Sequence, residues 1–264
     1  MPRQFASLCL LWTAFQAVPL PTPALAEEPA ETAVDPKRYE KKKDHDPNGI
    51  GKFYLGREIA HVMSHQGLFW LERPEREAEE QISKLIEGLD LKEGMVVADV
   101  GAGSGVITML MAPKVGKTGK VLALDIQQEM LDAIAAKCKQ QDVDNVELIR
   151  CTRTSIRLKP GTVDLAIMVD VYHELEFPYE VLKELAASLK PGGRIAFVEY
   201  RKEDPRVPIK EVHKMSADQV KREAALPEMQ LKFVKNDDRL PRQHLLIFER
   251  VAAPQPGPPA TPQP

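Results

Sequence analysis

Between residues 95 and 250 short apolar runs without helical period alternate with longer stretches that have one. Residues 95–100, 120–124, 145–149, 163–169 and 195–199 are such runs, with the length and Val/Ile/Leu content of buried strands. Residues 106–114, 127–139 and 177–189 read as helices; Met130, Leu131, Ile134 and Ala135 share a face of the second, and Val181, Leu182, Leu185 and Leu189 a face of the third. Lys190-Pro191-Gly192-Gly193 predicts a turn, because proline stops the helix and the glycines permit the bend. After a helix over 216–225 come strands at 230–234 and 244–249, too close for a long helix between them, hence an antiparallel hairpin. Strands alternating with helices predict an α/β fold, a doubly wound, mostly parallel sheet covered on both faces.

The two ends follow another pattern. Residues 1–26 hold one charge, Arg3, then an apolar stretch from Phe5 to Val18, then Pro19, Pro21, Pro23 and Ala24-Leu25-Ala26. That is the plan of a secretory signal peptide, with cleavage expected after Ala26 and export to the periplasm or beyond. The stretch is short for a membrane span, so the mature chain is expected to keep none. Residues 27–50, with Lys41-Lys42-Lys43 beside Asp44 and Asp46, read as a solvated, disordered linker. The tail 252–264 holds six prolines and is expected to be disordered. What remains, 51–251, is enough chain for one core. The net charge of −3 gives no basic field, so no nucleic-acid partner is expected. Without the leader, Cys138 and Cys151 remain; they could pair in an oxidising compartment, but two unpaired thiols are the simpler expectation.

The candidate chemistry begins where the first strand meets its helix, at Val96-Val97-Ala98-Asp99-Val100-Gly101-Ala102-Gly103-Ser104-Gly105. Glycines in such a turn let the backbone approach a ligand without a Cβ in the way. Asp125, at the end of the next strand, stands where a carboxylate grips a ribose diol. A nicotinamide fingerprint, G-x-G-x-x-G, would need glycine where Val106 stands, and a phosphate-binding G-x-x-x-x-G-K-[ST] loop fails at the same residue.

The D-x-G-x-G-x-G pattern of Asp99, Gly101, Gly103 and Gly105, followed by Asp125, resembles the Rossmann-like S-adenosylmethionine-dependent methyltransferases, over roughly residues 75–250. The resemblance implies a seven-stranded sheet in the order 3-2-1-4-5-7-6 and S-adenosylmethionine as co-substrate. It implies that Asp99 serves the methionine end of that cofactor, that the glycines pass beneath it, and that Asp125 with Ile126 holds the ribose. Asp170, in the loop after the fourth strand, flanks the methionine part. An acid that relatives often place against the adenine amino group is here Thr152, which can still accept a hydrogen bond but carries no charge.

Methyl transfer is an in-line attack on a sulfonium carbon, so the protein mainly aligns the partners and keeps the site dry. The loop Asp170-Val171-Tyr172-His173-Glu174 would face the acceptor, with His173 and Tyr172 as candidate catalytic groups. A base is needed only if the acceptor must lose a proton; His173 suits that task near neutral pH, and Glu174 or Asp170 could orient it. Tyr200 and Arg201 would overhang the same crevice, and Arg201 could clamp an anionic group of the acceptor. Residues 51–74, with Phe53, Tyr54, His61, Met63, His65, Phe69 and Trp70, are expected to cover the substrate. His61 and His65 have a metal-ligand spacing, but no third ligand lies nearby in sequence, so no metal is expected. His173-Glu174 does not extend to a zinc-protease H-E-x-x-H, because Phe177 stands at the last position.

These readings converge on an exported methyltransferase acting on a small or lipid-like acceptor, beside the alternative of a non-catalytic protein that keeps the adenosyl pocket. Export carries a tension, since S-adenosylmethionine is made in the cytosol and a chain threaded unfolded cannot carry it along.

Overall fold

The computed structural model describes residues 31–251. The leader and the proline-rich tail lie outside the described residues.

Residues 36–41 and 49–50, within the segment 27–50 expected to be a disordered linker, are instead built into secondary structure. A short 3-10 turn (Pro36–Arg38) leads into β1 (Tyr39–Lys41), and β2 (Gly49–Tyr54) and β3 (Arg57–Ala60) complete a small antiparallel sheet in the order β1-β2-β3. The charge run hides its anchors. Lys52 is buried with its ammonium 3.3 Å from the centroid of Phe177 and 4.1 Å from that of Tyr39, and Tyr39 and Ile50 pack on the main core. Such cation–ring contacts and the aliphatic stem of lysine let a charged residue serve as cover.

Three short helices follow, α1 (Leu68–Leu71), α2 (Arg76–Glu80) and α3 (Ile82–Gly88). The main domain then alternates β4 (Val96–Val100), α4 (Val106–Val115), β5 (Lys120–Asp125), α5 (Gln128–Gln141), β6 (Val146–Arg150), β7 (Val163–Val169), α6 (Pro178–Ser188), β8 (Leu189–Tyr200), α7 (Ala217–Ala224), β9 (Leu231–Asn236) and β10 (Gln243–Arg250). Its sheet runs β6-β5-β4-β7-β8-β10-β9, with β10 antiparallel to both neighbours. That is the 3-2-1-4-5-7-6 order the resemblance implies.

The strands are apolar on both sides because both faces are covered. Ala98, Ala166, Ile195 and Phe197 point to one core, shared with α6 and α7. Their neighbours Val97, Leu165, Ala196 and Val198 point to the other, shared with α3 and α4, as the period of two requires. The predicted turn at 190–193 is real but sits inside β8: the strand pairs through Leu189 with Val163, then jumps to Arg194 opposite Leu165, so the four residues bulge out. Among the described residues no helix is long and apolar enough to cross a membrane. Cys138 and Cys151 are free thiols; burial pushes the Cys151 thiol up to about 12.

Candidate active site

The parallel strands all end on one side of the sheet, and a cavity of about 610 Å³ opens there. Its near end is the glycine turn. Gly101, Gly103 and Gly105 have φ of +71°, +54° and +80°. A Cβ on Gly101 would stand 2.6 Å from both methyls of Val171, and one on Gly105 2.7 Å from Ile134 Cγ1. The glycines therefore serve the path of the chain itself. The first two amides of the turn, on Gly101 and Ala102, donate to the Leu124 carbonyl at 2.8 and 2.9 Å and bind it to the end of β5.

Asp125 locks the same junction from the other side: its Oδ2 accepts from the Gly103 amide at 3.0 Å and its Oδ1 from the Gln127 amide at 2.9 Å. Burial raises its carboxyl above the usual range, against the pull of those amides. Asp99, two residues before the turn, accepts from Thr108 Oγ1 at 2.6 Å, and burial pushes it up to about 6. Ile126 and Thr152 also line the cavity. The Thr152 hydroxyl is engaged by its own loop, accepting from the Thr154 and Ser155 amides at 3.3 and 2.9 Å. Gly105 does not line the cavity; it starts α4 behind it.

Asp170 reaches the cavity with a left-handed backbone, φ +54°. Its Oδ2 accepts from Gln243 Nε2 at 2.8 Å, while its buried Oδ1, like the buried Ser104 Oγ on the same wall, has no hydrogen-bond partner among the described residues. Burial, with Glu80 and Glu199 nearby, raises the Asp170 carboxyl well above its ordinary value. A cationic ligand group would reverse that cost. S-adenosylmethionine carries an ammonium at its methionine end, a sulfonium between methionine and ribose, and a diol on the ribose. A wall offering the carboxyl groups of Asp99, Asp125 and Asp170 to one cavity suits such groups.

At the far end His173 and Glu174 meet His213. His173 is buried, with Nδ1 2.6 Å from Glu199 Oε2 and Nε2 3.2 Å from His213 Nδ1. Burial drives His173 down to about 4 and Glu199 up to about 8, and Glu174 up to about 7. The imidazole is thus neutral at physiological pH. Its orienting partner is Glu199, not the expected Glu174 or Asp170, and the neutral pair holds a single proton between Nδ1 and Oε2. Val62, Met63, Trp70 and Leu71, from the segment before β4, add apolar lining along the cavity, and Leu71 lies over the glycine turn, its Cδ1 2.8 Å from where a Cβ on Gly103 would stand.

Besides Gly105, two expected site residues lie elsewhere. Tyr172 turns away from the cavity and into the core, edge-on to Phe197 at 5.0 Å between ring centroids, because the 3-10 turn Tyr172–Glu174 sends consecutive side chains in different directions. Arg201 donates to the carbonyls of Leu240 and Pro241 and does not reach the cavity. Tyr200 does reach it, donating to Glu80 Oε1 at 2.8 Å, and Glu80 is held in turn by Arg76 at 2.8 Å. His61 lines the cavity, but His65 lies outside it, 4.0 Å from Glu129, so the two do not form a site.

The reading of the chain missed His213, Arg76 and Glu80, which belong to segments with no motif. Glu199 carried a signal: a carboxylate closing the apolar run Ile195-Ala196-Phe197-Val198 has to be engaged if that run is buried.

The sequence profile of the methyltransferase domain family matches residues 91–243, from the loop before β4 to the start of β10. The chain belongs to that family. A solved methyltransferase-family structure, described as an S-adenosylmethionine-dependent methyltransferase from Aquifex aeolicus, superposes with a TM-score of 0.67 at 26% identity, over 72% of this chain and 100% of that one. Demethylmenaquinone methyltransferase of Lactococcus lactis is 30% identical over 106 residues, 40% of this chain and 42% of the relative. The same enzyme of Bacillus mycoides is 30% identical over 111 residues, 42% and 47% respectively. The match thus spans less than half the length of these curated methyltransferases.

Proposed function

We propose that the protein transfers a methyl group from S-adenosylmethionine to a small or lipid-like acceptor. One observation carries this reading: a single cavity joins the Asp99–Asp125 glycine turn to the His173–Glu174–His213 end. The co-substrate supplies a methyl group activated by its sulfonium. Asp125 is the group for its ribose hydroxyls, and Asp99 with Asp170 for its methionine ammonium. The acceptor then lies along Val62, Met63 and Trp70, and their apolar surfaces, with Leu71 over the glycine turn, exclude water from the reacting atoms. Those side chains suit a flat, ring-bearing molecule, and the relatives' names point to a quinone-like one.

Where the acceptor is a hydroxyl or a carbon acid, the neutral His173 imidazole, oriented by Glu199, takes its proton. We also propose that the chain is exported after loss of residues 1–26; intact mass of the protein from its native host, beginning at Glu27 or at Met1, decides this. Calorimetry with S-adenosylmethionine, S-adenosylhomocysteine and NAD tests the cofactor. Binding of the first two alone, with turnover of a quinol acceptor, supports the proposal. Tight S-adenosylhomocysteine binding with no turnover of any phenol, quinol or amine would favour the non-catalytic alternative, and NAD binding would overturn both.

A further inference from the structure

His173, Glu174 and His213 come from two loops about forty residues apart, yet their donor atoms converge. His173 Nε2 lies 3.2 Å from His213 Nδ1, and Glu174 Oε1 lies 3.6 Å from His213 Nδ1 and 3.9 Å from His173 Nε2. A triangle with these sides has its centre about 2.1 Å from each corner, the length of a zinc–nitrogen or zinc–carboxylate bond. We propose that these three side chains bind a divalent transition-metal ion at the acceptor end of the cavity.

A second, independent feature supports the site. Glu199 is fully buried and holds His173 Nδ1 at 2.6 Å, which leaves Nε2 to face the other two donors. Metal-bound histidines are commonly oriented by a carboxylate on the far ring nitrogen in this way. Glu199 is fixed in turn by the Tyr172 amide, which donates to its Oε1 at 2.9 Å. Arg57 pins the same turn by donating to the carbonyls of Tyr172 and His173, each at 3.3 Å. The two imidazole planes cross at 81°.

Two imidazoles and one carboxylate suit zinc, iron(II), cobalt or nickel rather than magnesium or calcium, which prefer all-oxygen shells. Three protein ligands leave at least one coordination position, and all three line the cavity. An ion held there would take an oxygen of the acceptor as a further ligand and lower its pKa, so that its proton leaves to solvent. His173, engaged at both ring nitrogens, is then a ligand in place of the base proposed above. This consequence, unlike the binding itself, rests on the methyl-transfer reading. It narrows the acceptor to molecules with an ionisable oxygen, such as a phenol or enol.

The test uses untagged full-length protein stripped with a chelator. Zn²⁺ affinity is read by competition with a chromophoric chelator, and Co²⁺ geometry by its visible absorption. The parent is expected to bind one equivalent of Zn²⁺ and to give the intense absorption of low-coordinate Co²⁺. His213→Ala and Glu174→Gln should each weaken Zn²⁺ at least about 100-fold, and Glu199→Gln, which touches no metal, about 10- to 100-fold. Circular dichroism checks that each variant is folded; His213 is partly exposed, so its replacement decides if a more buried variant fails to fold. Zn²⁺ affinity equal in the parent and His213→Ala overturns the site, as does a stoichiometry that all three variants retain. S-adenosylhomocysteine binding by the parent is measured separately, so a failed metal site and a failed methyl-donor site give different results.

Discussion

Asp125→Asn probes the cofactor side with almost no change in shape. The carboxylate accepts two backbone amides, Gly103 at 3.0 Å and Gln127 at 2.9 Å. An asparagine can accept only one; its own amide group then faces the second N–H. Leaving that donor unpaired costs about 1–3 kcal/mol. The loss is offset because burial already raises the pKa of Asp125, so a neutral side chain escapes part of the desolvation cost. The folded protein is therefore expected to lose no more than about 2 kcal/mol, a fall of about 8 °C or less in Tm for a domain of this size. Ligand binding has no such offset. A ribose diol loses a charged acceptor, worth about 1.5–3 kcal/mol, so S-adenosylhomocysteine should bind about 10- to 150-fold more weakly. Asp125→Ala strands both amides and should lose more stability than Asp125→Asn with a similar loss of affinity. Calorimetry at fixed pH measures the affinity, and thermal unfolding of the unliganded protein the stability. Affinity of Asp125→Asn within about threefold of the parent would refute the placement of the ribose at this carboxylate.

The pKa of Asp99, about 6 in the folded protein against 3.8 for the free side chain, means that the unfolded chain gives up this proton first. Asp99 thus removes stability as pH rises from about 4 to 6, and the full cost, about 2–3 kcal/mol, persists above that. Asp99→Asn should accordingly gain stability over the parent at pH 7 and not at pH 4, as denaturant unfolding at the two pH values will show; equal gains at both would contradict the assignment. Gly105→Ala combines φ of +80° with a 2.7 Å approach to Ile134 Cγ1 and should cost about 2–4 kcal/mol, read from the denaturation midpoint. Arg57 pairs with the fully buried Glu223 at 2.6 Å, so Arg57→Ala should destabilise by about 3–5 kcal/mol, and Arg57→Met combined with Glu223→Leu should recover much of it. A double variant no better than Arg57→Ala would show that the guanidinium matters chiefly through the Tyr172 and His173 carbonyls.

The strands and helices of the main domain were legible in the chain because each is fixed by spacing within a dozen residues. An apolar run such as Val163–Val169 can be satisfied only in a doubly covered sheet, and Val181, Leu182 and Leu185 fall on one helical face whatever they touch. The glycine turn was legible for the same reason, since its conformation and its acid lie within one strand–turn–helix unit and Asp125 ends the next strand. The far end of the cavity was not. Glu199 reaches His173 across 26 residues and His213 reaches it across 40, and which loops stand side by side is set by the sheet order β4-β7-β8-β10, which no local period encodes. The same limit explains Tyr172, one residue from His173 yet turned into the core, and Arg201, whose guanidinium is claimed by Leu240 and Pro241 from the loop before β10. It also explains residues 36–50, whose charges read as solvated. Lys52, just beyond them, finds the rings of Tyr39 and Phe177 only once β2 lies beside β1 and near α6. Local pattern settles which face a residue shows; the fold alone decides what that face meets.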